Sequence, residues 1–126
     1  MLGDLHAVTG VDVEELDITQ KDQGLAFIRK IRPEVIINCA AFTQVDLCET
    51  RKDLAWAVNV TGAENLALAA VACGARLVQI STDYVFDGQS NNPYIESDAP
   101  HPINAYGQTK LVGEQAVQEI GGDYFR

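Results

Sequence analysis

Tyr106 and Lys110 lie four residues apart in Tyr106-Gly107-Gln108-Thr109-Lys110. On a helix that spacing puts a phenol and an ammonium on one face. A free tyrosine gives up its proton at about pH 10, too high for acid–base work near neutrality. A neighbouring ammonium favours the phenolate and brings that value down. The pair can then pass a proton to or from an oxygen of a small molecule. Taken alone, the same spacing also fits a partly exposed helix face.

A second chemical feature sits upstream. Ser81-Thr82-Asp83-Tyr84-Val85-Phe86-Asp87-Gly88 follows directly on a buried, strand-like run. In an open α/β sheet, ligands bind just beyond the carboxyl ends of strands. A Thr82 hydroxyl there can hydrogen-bond a carbonyl that the tyrosine protonates. Thr82 could instead simply cap a turn, and Ser81 is a competing hydroxyl one residue away.

The preceding strand ends in Asn38-Cys39-Ala40-Ala41-Phe42-Thr43. Small residues there let a flat ligand approach the backbone, or let a helix pack closely on a sheet. Asp12 follows a weaker apolar run, where a carboxylate could accept from a ribose hydroxyl. Asp17-Ile18 precedes the first helix, where the acidic group also favours the helix dipole.

These groups must be positioned by elements that the apolar pattern marks out. Val35-Ile36-Ile37-Asn38-Cys39-Ala40-Ala41 and Arg76-Leu77-Val78-Gln79-Ile80-Ser81 are continuous apolar runs, as expected of parallel strands covered on both faces. His6 to Val11 reads as a weaker strand, and Tyr124-Phe125-Arg126 as the start of another. Thr19 with Asp22 three residues on predicts a capping box. Leu25, Ile28 and Ile31 have helical spacing, with Pro33 as a stop. Longer helices are predicted over about 53–73, with Gly74 as its stop, and over about 105–120, ending at Gly121-Gly122.

Strands thus alternate with helices, the pattern of an α/β sheet with right-handed crossovers. The stretch from Asp87 to Asn104, rich in Gly, Asn and Pro, reads as a functional surface loop. One element is missing. A dinucleotide-binding fold normally opens with a strand, a glycine-rich turn and a helix whose N-terminus holds the pyrophosphate. Gly3 and Gly10 lack that spacing. Either the chain begins after that unit, or the fold is of another kind. An uncovered sheet edge would allow pairing with a second copy, a homodimer.

Composition narrows the function classes. The 126 residues carry a formal net charge of −9, which argues against nucleic-acid binding through a basic face. Cys39, Cys48 and Cys73 form no Cys-x-x-Cys pair, so no metal site is expected. Their odd number and wide spacing fit a reducing cytoplasm. No apolar stretch is expected to reach membrane-spanning length. Gly3, Asp4 and His6 interrupt any signal-peptide pattern.

The Ser81–Gly88 string, Tyr106–Lys110, Val35–Ala41, Val45-Asp46 and Asn59-Val60-Thr61-Gly62 together resemble the dTDP-4-dehydrorhamnose reductase family, a branch of the extended short-chain dehydrogenases. The resemblance runs from about Val8 to Arg126. The Tyr-x-x-x-Lys motif is shared by the whole superfamily, whereas the Ser-Thr-Asp-Tyr-Val-Phe string is much narrower.

The resemblance implies a Rossmann-like parallel sheet with helices on both faces, lacking its first β-α unit. The chain would be a partial NAD(P)-binding domain without the C-terminal substrate lobe. Thr82, Tyr106 and Lys110 would form the catalytic trio, with Tyr106 donating a proton to the sugar C4 oxygen. Asp12, Asp17, Ile18, Ala41, Phe42 and Thr43, with Tyr106 and Lys110, would line the NADPH or NADH site. Val45, Thr82 and Asp83 would contact a nucleotide-sugar. Asn59 would serve structure as readily as cofactor contact. A carboxylate at Asp12 disfavours a 2′-phosphate and leans towards NADH.

The reaction implied for the parent protein is reduction of dTDP-4-dehydro-6-deoxy-L-mannose to dTDP-L-rhamnose. Two other readings are a sugar-nucleotide epimerase or dehydratase and a non-catalytic subunit. The last rests on the regulatory subunit of methionine adenosyltransferase, which resembles this family and acts as a binding partner.

Overall fold

A computed structural model describes residues 6–125. The readings placed on Gly3, Asp4 and Arg126 lie outside those residues. The first helix, α1, spans Lys21–Ile31 and is followed by strand β1, Val35–Asn38. Two short helices follow, α2 over Val45–Thr50 and α3 over Lys52–Trp56. α3 runs through a π-helical turn, Ala57–Gly62, straight into α4, Ala63–Cys73. Strand β2, Arg76–Gln79, leads to a single 3₁₀ turn, Asp83–Val85. α5 spans Ala105–Ile120, and β3 is Tyr124–Phe125.

The strands form one parallel sheet in the order β1-β2-β3. Val35 pairs with Arg76 and Asn38 with Gln79, while Leu77 pairs with Tyr124. Parallel neighbours need a crossover, which the α2–α4 segment and α5 supply. The α/β class and the Rossmann-like parallel sheet therefore stand as read.

The core lies on one face of this sheet. Ile36 and Leu77 point into it, meeting Ile28 of α1, Leu66, Ala67 and Ala70 of α4, and Val117 of α5. Leu77 is fully buried, and burying such a side chain stabilises by about 2 kcal/mol. On the opposite face, Val35, Ile37 and Ile80 are exposed. Helices thus cover one face among the described residues, where both had been expected.

Several local expectations are corrected. His6 to Val11 takes no place in the sheet, and Val8 and Val11 are exposed. Without a neighbour to take its backbone hydrogen bonds, an apolar run does not become a strand. β1 and β2 stop at Asn38 and Gln79, short of the expected Ala41 and Ser81. Thr19 does not cap α1: the capping position is Gln20, without a side-chain bond. The Thr19 hydroxyl instead donates to Asp17 (2.7 Å). α1 ends before Pro33 with Arg32 in the left-handed region.

The joined helix Lys52–Cys73 is, by length and composition, apolar enough to cross a membrane. The expectation that no stretch reached that length is corrected. Much of this helix is buried against α1 and α5, as in the core helix of a globular protein.

Candidate functional site

Of the expected site residues, Thr82, Asp83, Tyr106 and Lys110, with Ala41, Phe42, Thr43 and Val45, lie at the carboxyl ends of β1 and β2, beside the N-terminal half of α5. Asn104 starts α5 by accepting a hydrogen bond from the Gly107 amide (2.8 Å), which satisfies one of the helix's orphan donors. Glu49 of α2 accepts from the Ala105 amide (2.7 Å). Gly107 lies so close to the Tyr84 carbonyl that a Cβ there would overlap it. α5 is thereby pressed onto the loop that leaves β2.

Two contacts bracket Thr82. Lys110, 4% exposed, donates from Nζ to the Ile80 carbonyl (2.6 Å). Tyr106 packs edge-on against the Tyr84 ring, with centroids 5.5 Å apart. Thr82 sits between these anchored positions in extended backbone. Its hydroxyl accepts from the Tyr84 amide (3.3 Å) and donates to Asp83 (3.2 Å). Thr82 is therefore a turn cap as well as a hydroxyl at the strand end, and Asp83 is exposed beside it. Burial pushes the Lys110 ammonium below the usual lysine range, and the charge of Glu114 and the thiol of Cys39 work against that.

The wall opposite is held by Asn59, from the π-helical turn. Its side chain accepts from the Phe42 amide (2.8 Å) and donates to the Phe42 carbonyl (3.2 Å) and to Thr109 (3.0 Å). One side chain thus ties the β1 loop to α5. Such turns recur at functional sites. Phe42 and Val45 pack on the cluster of Cys48, Ala55, Ala105 and Tyr106. Ala40 and Thr43 are exposed, and Ala41 is half-buried. The carboxyl ends of the two strands are tied by the Asn38 amide, which donates to Gln79 (2.8 Å).

Asp17 and Ile18 form a second, separate cluster. Asp17 accepts from the Thr19 amide (2.9 Å) and hydroxyl, and these bonds hold its carboxyl below the ordinary aspartate range. Ile18 is buried over Gly62. Asn65 of α4 donates to the Ile18 (2.9 Å) and Thr19 (3.2 Å) carbonyls. Asp12 stands apart in an exposed turn, its carboxylate accepting from the Val13 amide (2.7 Å).

Three contributors escaped the sequence. Asn65 gave no signal beyond being a polar residue in an alanine-rich helix. Glu49 lies in α2, which had not been anticipated. Glu114 continues the Tyr106–Lys110 spacing by another four residues, and that repetition could have revealed it.

The chain is 44% identical over 112 residues to a dTDP-4-dehydrorhamnose reductase of Aggregatibacter actinomycetemcomitans, covering 89% of this chain and 38% of that protein. It is 51% identical over 92 residues to methionine adenosyltransferase 2 subunit beta of Xenopus laevis, covering 73% of this chain and 27% of that one. Its fold superposes on the crystal structure of dTDP-4-dehydrorhamnose reductase from Bacillus anthracis in complex with NADP. The TM-score is 0.94 at 44% identity, over 97% of this chain and 43% of that one. The chain therefore spans less than half the length of these relatives. Matched from residue 2 to residue 125, it belongs to the RmlD substrate binding domain family.

Proposed function

We propose that the protein carrying this chain reduces dTDP-4-dehydro-6-deoxy-L-mannose to dTDP-L-rhamnose, using NADPH or NADH. The observation that carries this reading is the bracketing of Thr82 by the Lys110–Ile80 bond and the Tyr106–Tyr84 contact. It sets a hydroxyl, a phenol and an ammonium at the end of one parallel strand, where open α/β sheets bind ligands.

The residues present suit a nicotinamide dinucleotide. Ala40 and Ala41 leave the β1 end accessible, and Asn59 fixes the backbone at Phe42. Asp12, Asp17, Ile18, Ala41, Phe42 and Thr43 would hold its adenosine and ribose side. Lys110 would bond the nicotinamide ribose. When bound, the reduced nicotinamide supplies hydride to sugar C4. Tyr106 delivers the proton to the C4 oxygen, Lys110 favours its phenolate, and Thr82 holds the carbonyl. Val45 and Asp83 line the sugar side. The nucleotide-sugar is thus the partner in this reading, in the cytoplasm, with a homodimer as the proposed assembly.

A second reading rests on the identity to the Xenopus subunit: the same scaffold serves as a non-catalytic partner of a methionine adenosyltransferase. One assay separates the two. The complete protein is mixed with NADPH and the 4-keto sugar, and cofactor oxidation is followed. Turnover that depends on the sugar supports the reductase. No turnover, together with binding to a methionine adenosyltransferase catalytic subunit, overturns it in favour of the second reading.

A further inference from the structure

We propose that Glu114 is a positioning residue that keeps the Lys110 ammonium charged and seated at the end of β2. It lies one helical turn beyond Lys110 on the inward face of α5, and the Ser81 hydroxyl donates to its carboxylate. This deepens the reductase reading, because it rests on Lys110 being the charged group of that site.

Four observations support it. Glu114 is 8% exposed, on a helix whose other face meets solvent. Burying a carboxylate is costly unless it is hydrogen-bonded and faces an opposite charge. Ser81 provides the first, next in sequence to Thr82 and to Ile80, whose carbonyl holds Lys110. Lys110 provides the second. Among the described residues, the charges that favour the Lys110 ammonium are Glu114 of its own helix and Cys39 at the end of β1, and Tyr106 lies one turn before it on α5.

The physical need is plain. A lysine 4% exposed loses most of its hydration, which favours the neutral amine. A neutral amine can neither favour the Tyr106 phenolate nor bind as a cation. A carboxylate one turn away offsets that loss, and its own freedom is restricted by the bond from Ser81. The result is a relay from Ser81 through Glu114 to Lys110, the ammonium of the three groups proposed to do chemistry.

The test reads the lysine itself. In the protein carrying this chain, with lysine side chains ¹³C-labelled, the Lys110 signal is identified by its loss in Lys110→Met and titrated by NMR. Glu114→Gln is expected to lower the Lys110 midpoint by about one pH unit, a tenfold change in its protonation ratio. Glu114→Asp should recover part of the difference. An unchanged midpoint in folded Glu114→Gln overturns the proposal, even if stability falls. If Glu114→Gln does not fold, Ser81→Ala carries the test: a smaller drop supports the relay, and no drop overturns it. Because no turnover is measured, the outcome is independent of whether the sugar reductase reading holds.

Discussion

The carbonyl oxygen of Asn59 lies against the α-carbon of Gly113, so close that a Cβ on Gly113 would overlap it. The contact lets α5 approach the π-helical turn, and it permits the Asn59 amide to reach both Phe42 and Thr109. Packing and site are therefore joined at one glycine.

Gly113→Ala should destabilise the chain. Alanine favours a helix interior over glycine by about 1 kcal/mol. The clash here is with backbone, which cannot rotate away, and overpacking of this kind costs about 1–3 kcal/mol. Gly24 in α1 has open space where its Cβ would go, so Gly24→Ala should stabilise by up to about 1 kcal/mol. Urea unfolding of the two variants beside the parent chain checks both signs. A Gly113→Ala midpoint at or above the parent's would show that the helices can part without loss.

The contrast between such sites shows what the residue pattern reveals. α5 was legible as a run over about 105–120 closed by the Gly121-Gly122 pair, whereas its asparagine cap, Asn104, emerged only in the structure. Both glycines take positive φ, and the chain turns there into β3. β1 and β2 were legible as apolar β-branched runs. The stretch His6 to Val11 has similar residues but no strand neighbour among the described residues, and strand formation depends on the neighbour. α2 is too short for its period to show. Thr19 looked like a helix cap because its spacing to Asp22 fits one, yet Asp17 two residues earlier competes for its hydroxyl. Tyr106 and Lys110 stood out by spacing, whereas Asn65 and Ser81 act through bonds to distant segments that spacing does not encode.

Tyr106→Phe removes the proposed proton donor and leaves the ring that packs on Tyr84. The protein carrying this chain should lose about 10²-fold or more in turnover, with its melting temperature nearly unchanged. Steady-state rates of NADPH oxidation with the 4-keto sugar measure it. Near-normal turnover would reject Tyr106 as the acid.

Lys110→Met keeps the length of the side chain and removes its charge and its bond to Ile80. Cofactor affinity should fall about tenfold or more, the usual weight of a charged hydrogen bond, and turnover should fall with it. Direct NADPH titration by calorimetry separates the two effects. An unchanged Kd with reduced turnover would confine the lysine to lowering the tyrosine's pKa.

The loop from Asp87 to Asn104 is expected to loosen in acid. The Asp87 carboxylate accepts from the Gln89 amide (3.0 Å) and the Tyr94 hydroxyl (2.9 Å), and meets His101 Nδ1 at 3.3 Å. Those contacts hold its carboxyl below the usual aspartate range, the Gln89 amide most strongly. A carboxyl whose folded value is depressed stabilises the fold fully above its ordinary value of about 4, and that contribution disappears as pH falls through the lower folded value. Tyr94 stacks on Phe86 at 4.2 Å between centroids, so its ring signals report whether the loop is closed. Followed by NMR from pH 6 down to about pH 2, they should shift in that acid window in the parent chain. In Asp87→Asn, where the group no longer titrates, they should stay flat. If the parent's ring signals hold constant while the core stays folded, the loop is closed by something other than the Asp87 carboxylate.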